Sequence, residues 1–468
     1  MAEKGVKMAM KMESALSDGF LAVRAGFVGS AWHFRAAAPA IRRSGMELMG
    51  VNTPGSTRVL QSVLRCQDRQ AELGVAYSVP LRQDAAALVR HDDIDVVIAL
   101  GTAPTDIGLR RTETGRAAER ANLVEYVLSE GKHIVTAPGA DADEQRQLAA
   151  VAAQHPGQLC VLGMDMRFLE TVHALRSLLH QGALGPLRGV RGSVRSPVGL
   201  RFCGDAGHTW WHTRRGGGGA IAALAPSFVD LLCHVSGAPV AKVQTSAVER
   251  LAPEKKNAQG ILRRVTTEDR ATLRLEMGSS PEPWTAELRI DAADAELQLP
   301  TPSVEAMPAA RVGGMAYELV FEGEQGSATL ASTNDDVTLV VRESTPGATD
   351  IEVVRDALGE DRTNPPGDLW DRRAITAAVD ENASVYLGLI GMCDALVESK
   401  EDWLRFPVYA PLSQWRPFWP DMPQEAALHR AATPKEGVHF MEATDALIES
   451  ADAVPEGGDG PWLAVPPT

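Results

Sequence analysis

The chain has 468 residues, of which 44% are hydrophobic and 23% charged, with a formal net charge of -15. This length accommodates two or more domains, each with its own core, and the acidity excludes broad contact with nucleic-acid phosphates. No run of about eighteen apolar residues is present, which excludes a helical membrane span. The five cysteines are scattered, without CxxC spacing, and fit reduced thiols in a cytoplasm rather than a disulfide framework. Residues 1–20 carry lysines and methionines but no apolar stretch, so they read as a flexible arm without a secretory signal.

From Phe20 short apolar runs alternate with amphipathic stretches. Leu21 to Val23 and Gly26 to Val28 read as a strand entering a turn, Ala36 to Arg43 as a helix and Glu47 to Val51 as a second strand. A helix over 58–73 and the β-branched strand Ile94 to Leu100 follow. Strand and helix in alternation imply a parallel sheet with helices on both faces, which takes ligands beyond the carboxyl ends of its strands. Gly131 to Pro138 then reads as a turn feeding a buried strand that the proline stops.

Beyond residue 160 a helix runs from Val172 to Gln181 and ends at Gly182. Period-two alternation predicts antiparallel strands at Leu187–Arg195, Arg270–Met277, Trp284–Ile290, Tyr317–Phe321 and Val337–Val341. Residues 298–314 and 344–368 read as loops, Asp371 to Ser399 as a long helix, and the tail from about Pro407 as an extended surface segment.

Gly29-Ser30-Ala31-Trp32-His33-Phe34 lies between a strand and a helix, the context of a dinucleotide-binding turn. Gly29 suits the tight turn and Ala31 leaves room for a pyrophosphate, whereas Phe34 is a poor substitute for the last glycine. A glycine turn with no nucleotide fits the same residues nearly as well. Asn52-Thr53-Pro54 stands where a ribose-binding acid is expected. Its absence removes repulsion against a 2′-phosphate that Arg58 is placed to neutralise, favouring NADP over NAD; Arg58 as a solvated helix residue is the plainer reading.

Gly163-Met164-Asp165-Met166-Arg167-Phe168, Gly182-Ala183-Leu184-Gly185 and Gly216 to Ile221 with Phe228 to Leu232 resemble, in order, segments of the Gfo/Idh/MocA oxidoreductases. With the Gly29 turn and the Gly131–Pro138 strand, the resemblance spans roughly 20–235 and weakens toward 400. It implies an α/β protein: an N-terminal Rossmann dinucleotide-binding domain over 20–145, then an α/β domain over 146–405 built on a large, mostly antiparallel open sheet. Residues 406–468 are left as an extension. It also implies an NAD or NADP cofactor, a small-molecule substrate, and oligomers formed through the sheet.

The family's strand ends in a proton-handling lysine before the proline, where this chain has Thr136-Ala137-Pro138. The Asp and His of its active-site helix match Ala223 and Ser227, with Pro226 between them. Acid–base catalysis needs a titratable group at the reacting atom, so all three positions of the usual relay are empty. The family's cofactor-covering turn matches Thr102-Ala103-Pro104, and the longer stretch after it, with Arg110, Arg111, Arg116 and Arg120, reads as a lid, a subunit contact or a solvated helix.

Replacements are sought in the segment 203–215, which overhangs the substrate in the family. His212 is the candidate acid or base there. Arg214 and Arg215 suit an anionic substrate, Trp210 and Trp211 a ring, and Asp165 and Arg167 complete the candidate substrate set. His208 and His212 have i,i+4 spacing, but no metal is expected because the preceding glycines point to a loop. Two readings stand: a divergent NAD(P)-dependent oxidoreductase reducing a C=N or C=C bond, or an inactive member acting as a nucleotide or sugar sensor or partnering an active paralogue. A lyase or isomerase has no residue support beyond this histidine–arginine segment.

Overall fold

A computed structural model describes residues 23–29, 37, 40, 41, 44–52, 85–100, 117–196, 199, 208, 210–214, 217–257, 259–278, 283–294, 315–332, 336–344, 349–357, 387–397, 431–454 and 458–466. The N-terminal layer contains β1 (Arg24–Gly29), β2 (Glu47–Asn52), α1 (Ala85–Val89), β3 (Val96–Leu100), α2 (Ala117–Ser129), β4 (His133–Thr136), α3 (Ala142–Gln154) and β5 (Cys160–Leu162). The strands form a wholly parallel sheet in the order β2-β1-β3-β4-β5. β3, with five buried residues in a row, is the apolar run expected of a strand covered on both faces. β5, at Cys160–Leu162, completes this sheet at its β4 edge.

A 3-10 turn (Asp165–Phe168) leads into α4 (Glu170–His180) and β6 (Leu187–Arg195). A second 3-10 turn (Trp210–His212) precedes α5 (Ala220–Ser236), β7 (Val240–Glu249) and the hairpin β8 (Glu254–Lys256) and β9 (Leu262–Arg264). Then come β10 (Arg270–Met277), β11 (Trp284–Asp291), β12 (Ala316–Gly323), β13 (Gly326–Ser332), β14 (Asp336–Glu343) and β15 (Ile351–Ala357), a helix α6 over 387–397, α7 (Pro434–Asp452) and β16 (Leu463–Ala464).

Nine of these strands form one sheet ordered β15-β14-β13-β12-β6-β11-β10-β7-β16, antiparallel except where β6 meets β11. β10 alternates without a break between buried Ala271, Leu273, Leu275 and Met277 and partly exposed Arg270, Thr272, Arg274 and Glu276. The inner face packs on α4, α5 and α7 as a single core. The outer face carries ion pairs such as Arg274 with Glu287 and Lys242 with Glu276.

Two segments differ from the sequence reading. β15 lies in a stretch expected as loop, and α7 in a tail expected as extended. α7 has complete start signals: Thr433 caps the Glu436 N–H, Glu436 bonds back to the Thr433 N–H, and Pro434 stands in the first turn. α7 ties the two sheets together. On one side Ala142 N–H donates to Asp445 at 2.8 Å and Gln145 to the Pro434 carbonyl at 2.8 Å. On the other, Thr245 N–H donates to Ser450 at 2.9 Å and Val240 N–H to His439 Nε2 at 3.0 Å.

Candidate active site

In the strand order β2-β1-β3-β4-β5 the direction of winding reverses between β1 and β3, and doubly wound sheets take their ligand at that crevice. Gly29 ends β1 there, paired with Leu100 at the end of β3. A Cβ on Gly29 would collide with the Leu100 carbonyl oxygen, so the two strand ends close up only because residue 29 has no side chain. Asn52 ends β2 and is buried. The other residues expected to hold the nucleotide, Ser30, Ala31, Trp32, His33, Thr53, Arg58, Thr102, Ala103 and Pro104, lie outside the described residues.

β4 ends at buried Thr136, and Ala137 N–H continues the ladder to the Ala99 carbonyl at 3.1 Å. Three side chains fix the turn that follows. Arg120 Nη1 donates to the Pro138 carbonyl, Gly139 N–H to Gln145 Oε1 at 2.7 Å, and Ala140 N–H to Glu144 Oε2 at 2.6 Å. Arg120, read from the sequence as lid, contact or surface, thus braces the strand end that carries Ala137. The turn after β4 is firmly held, and the side chain at 137 is a methyl group.

α5 begins after Gly218 and Gly219. A Cβ on Gly219, at φ +101, would lie 2.9 Å from Glu268 Oε1. That closeness lets the buried Glu268 accept the Ile221 N–H at 2.8 Å and supply negative charge at the helix N-terminus. Arg214 Nη1 meets the other Glu268 oxygen at 2.5 Å. Pro226 is accommodated inside the helix. Ala223 is exposed and Ser227 partly exposed, so neither position is filled by packing.

The turn Asp165–Phe168 follows β5. Gly163 N–H donates to the Thr136 carbonyl at 2.8 Å, setting the turn beside the end of β4. Arg167 is buried and grips Asp230 of α5 with two bonds, Nε to Oδ2 at 2.9 Å and Nη2 to Oδ1 at 2.5 Å. Its guanidinium is therefore committed inside the protein instead of open to a substrate. Asp165 differs: its Oδ2 is shut off from solvent and has no hydrogen-bond partner among the described residues. Loss of hydration pushes this carboxyl up to about 7, helped a little by the Asp230 charge and opposed by the Asp165 and Met166 N–H groups.

The segment expected to overhang the substrate is drawn into the protein. Trp211 is 1% exposed, its carbonyl accepts Thr267 Oγ1 at 2.8 Å, and a Cβ on Gly218 would strike its backbone. Trp211 is a core anchor, not a stacking platform. His212 is 2% exposed, with its ring 5.4 Å from that of His208, and its carbonyl accepts the Thr266 N–H. Arg214, besides Glu268, bonds Asp452 of α7 at 3.2 Å. Arg215 lies outside the described residues. His212 ends a short 3-10 turn that begins at Trp210, after His208, and no cluster of three or more His, Cys, Asp or Glu side chains suited to a metal occurs among the described residues.

Residues 172–282, which hold α5, the Trp210–His212 turn and the middle of the large sheet, match the model of the GFO/IDH/MocA C-terminal domain. This middle part of the chain is similar to that C-terminal domain. An uncharacterized oxidoreductase of Synechocystis is 28% identical over 217 residues, 45% of this chain and 52% of that relative, so the chain spans about half the length of the curated relative it matches. Among solved structures, an oxidoreductase domain protein from Kribbella flavida aligns over 96% of this chain and 100% of its own, with TM-score 0.62 and 15% identity. An NAD binding oxidoreductase from Klebsiella pneumoniae, at TM-score 0.61 and 13% identity, covers the same shares. So does levoglucosan dehydrogenase in complex with NADH and levoglucosan, at TM-score 0.61 and 12% identity. At such identities these likenesses concern the fold. Within it, this chain has no ionisable group at Ala137, Ala223 or Ser227.

Proposed function

We propose that this chain is an NAD(P)-dependent oxidoreductase that reduces a C=N or C=C bond in a small molecule without the usual lysine, aspartate and histidine relay. The observation that carries the reading is the crevice between β1 and β3, where the winding reverses and the Gly29 and Leu100 strand ends close up at the place such sheets take a dinucleotide. A nicotinamide bound there supplies hydride-transfer chemistry. Gly29 and the turn after it would hold the phosphates, Asn52 would face the ribose in place of a carboxylate, and the braced Thr136–Pro138 turn would border the nicotinamide. The uncharged Asn52 favours NADP over NAD. The NADH in the levoglucosan dehydrogenase complex supports a nucleotide in this fold. The absence of a base at Ala137, Ala223 and Ser227 argues against oxidation of an alcohol and for a bond whose reduction needs only a proton donor. The test is quenching of reduced-nicotinamide fluorescence, followed by turnover with candidate imines and enones. Saturable binding with turnover of one of these classes is expected; no binding of either cofactor would sink the proposal.

A second reading rests on the same three positions. Without the relay, the chain would serve a cytoplasmic assembly as a non-catalytic subunit beside an active paralogue, or as a nucleotide or sugar sensor. Co-purification with a homologous subunit bearing Glu-Lys-Pro at the β4 end would favour the partner role. A homo-oligomer that turns over substrate alone would exclude this second reading.

A further inference from the structure

At the carboxyl ends of the five parallel strands, where ligand is expected, the described residues are Gly29, Asn52, Leu100, Thr136 with Ala137 and Pro138, and the Gly163–Asp165 segment. Among them, Asp165 alone has an ionisable side chain. Three observations mark it as more than a turn residue. Gly163 N–H is bonded to the Thr136 carbonyl, so the Asp165 turn stands beside the strand end where the usual lysine is replaced by Ala137. α6 closes over it so tightly that a Cβ on Gly388 would come within 3.0 Å of the Asp165 Cβ and strike its carbonyl oxygen. Asp165 Oδ2 is enclosed with no donor among the described residues, although Arg167, two residues on, makes a bidentate pair with Asp230. A carboxyl held only by its own and the Met166 N–H groups, with one oxygen enclosed without a donor and no cation beside it, favours its protonated form.

We propose that Asp165 is the proton donor of this site, delivering its carboxyl proton to the substrate atom that becomes electron-rich as the double bond is reduced. This rests on the oxidoreductase reading. The substrate's C=N or C=C π bond gains a hydride, with its electron pair, at one end, from a reduced nicotinamide as the two-electron donor. At the other end an N–H or C–H bond forms as the Asp165 O–H bond breaks. The carboxylate left behind takes a proton from water, so charge and atoms balance over the cycle. A neutral acid held near physiological pH is the form general-acid catalysis requires.

The test has two arms. In the protein without cofactor, carboxyl infrared difference spectra of wild type against Asp165→Asn and Asp165→Glu are followed from about pH 4 to about pH 9, a range that brackets free and buried carboxyls. A protonated carboxyl band, missing from Asp165→Asn and fading near pH 7, is expected; a band already lost by about pH 5 overturns the proposal. With reduced nicotinamide and an imine or enone, Asp165→Asn is expected to keep cofactor binding, lose about a hundredfold or more in kcat, and lose the wild-type dependence on pH. Asp165→Glu, which retains the acid, should recover part of the rate. Unchanged kcat and pH profile in Asp165→Asn overturn the proton-donor role alone. Absence of nicotinamide binding by the wild type overturns the oxidoreductase reading and this role with it.

Discussion

α5 and the turn after β5 meet through Arg167 and Asp230, yet they leave very different groups free for chemistry. On α5 the one buried carboxylate, Asp230, is consumed by a bidentate arginine, and Ala223 and Ser227 carry no ionisable group. The turn spends its arginine on that pair and retains a second carboxyl, Asp165, with an enclosed and unpartnered oxygen. The two carboxylates are close enough for the Asp230 charge to push Asp165 upward. Burial acts on both; a fixed cation acts on one. Burial pushes both carboxyls up; at Asp230 the Arg167 cation opposes that push and makes a structural clasp, whereas at Asp165 only backbone N–H groups oppose it and the acid keeps its proton near neutrality.

The largest effect should come from breaking the clasp. Both side chains are nearly inaccessible, 6% and 3% exposed, so Arg167→Met strands a buried carboxylate and should cost about 3–5 kcal/mol of stability. Chemical denaturation at pH 7 checks this. Restoring much of the loss with the Arg167→Met, Asp230→Leu double variant would show that the pair is a clasp, since removal of both charges leaves no uncompensated group. A small loss in the single variant would mean that Arg167 is freer than its geometry implies, and would return it to the substrate set.

Asp165 should show the opposite behaviour as pH changes. Its folded value is raised above that of the unfolded chain, to about 7. The folded state therefore favours the protonated form, and this contribution is fully present below the unfolded value near 4 and lost as pH rises toward 7. His133 runs the other way. Burial depresses its imidazole to about 4, and its Nδ1 accepts the Leu159 N–H at 2.8 Å, so its contribution is present above its unfolded value near 6.5 and is lost as pH falls toward 4. Asp165→Asn should remove the first slope, gaining on the order of a few kcal/mol over wild type at neutral pH, and leave the acid-side loss in place. Melting followed at closely spaced pH values separates the two groups; a variant curve parallel to wild type above about pH 5 would mean that Asp165 ionises normally.

The sequence carried the architecture well where local pattern and tertiary burial agree. Strict alternation in Arg270–Met277, and a looser one in Leu187–Arg195, mark two strands to the residue. β15 escaped because its side chains are largely exposed, so its chain carries little of the one-sided apolar pattern that reveals a strand. α7 was missed although Thr433, Pro434 and Glu436 spell out a capping box, because the prolines and tryptophans upstream suggested an extended tail throughout. For the site, residue identity showed what was absent at 137, 223 and 227. Pairing through space was not legible: nothing in the sequence joined Arg167 to Asp230 across sixty-three positions or Arg214 to Glu268, and both arginines were read as free for substrate. The enclosure of Asp165 depends on Gly388, far along the chain, and was equally out of reach.

A smaller effect tests whether the interdomain tie bears on the comparison. Thr433→Ala removes the hydroxyl that accepts the Glu436 N–H and should cost about 1 kcal/mol. Glu436 lies 3.9 Å from Arg167, so fraying the start of α7 would slightly loosen the clasp while leaving Asp165 unaffected. Hydrogen exchange should rise in the first turn of α7 and remain unchanged at 163–166; equal rises in both would mean that the turn depends on α7 directly.

The smallest expected change is Ala223→Asp, and it tests whether the fold of α5 requires an uncharged residue at 223. Ala223 is exposed near the start of the helix, where a new carboxylate gains from the positive end of the helix dipole. It loses something in helix propensity and in repulsion from Glu268, which already holds the Ile221 N–H. These terms oppose one another at an exposed site, so the net change should stay within about 0.5 kcal/mol. If so, packing did not dictate alanine at 223, and an acid there was dispensable to the fold. A loss of several kcal/mol would instead mean that this face of α5 is covered in the working protein, as it would be in a subunit whose task is to pair with another chain.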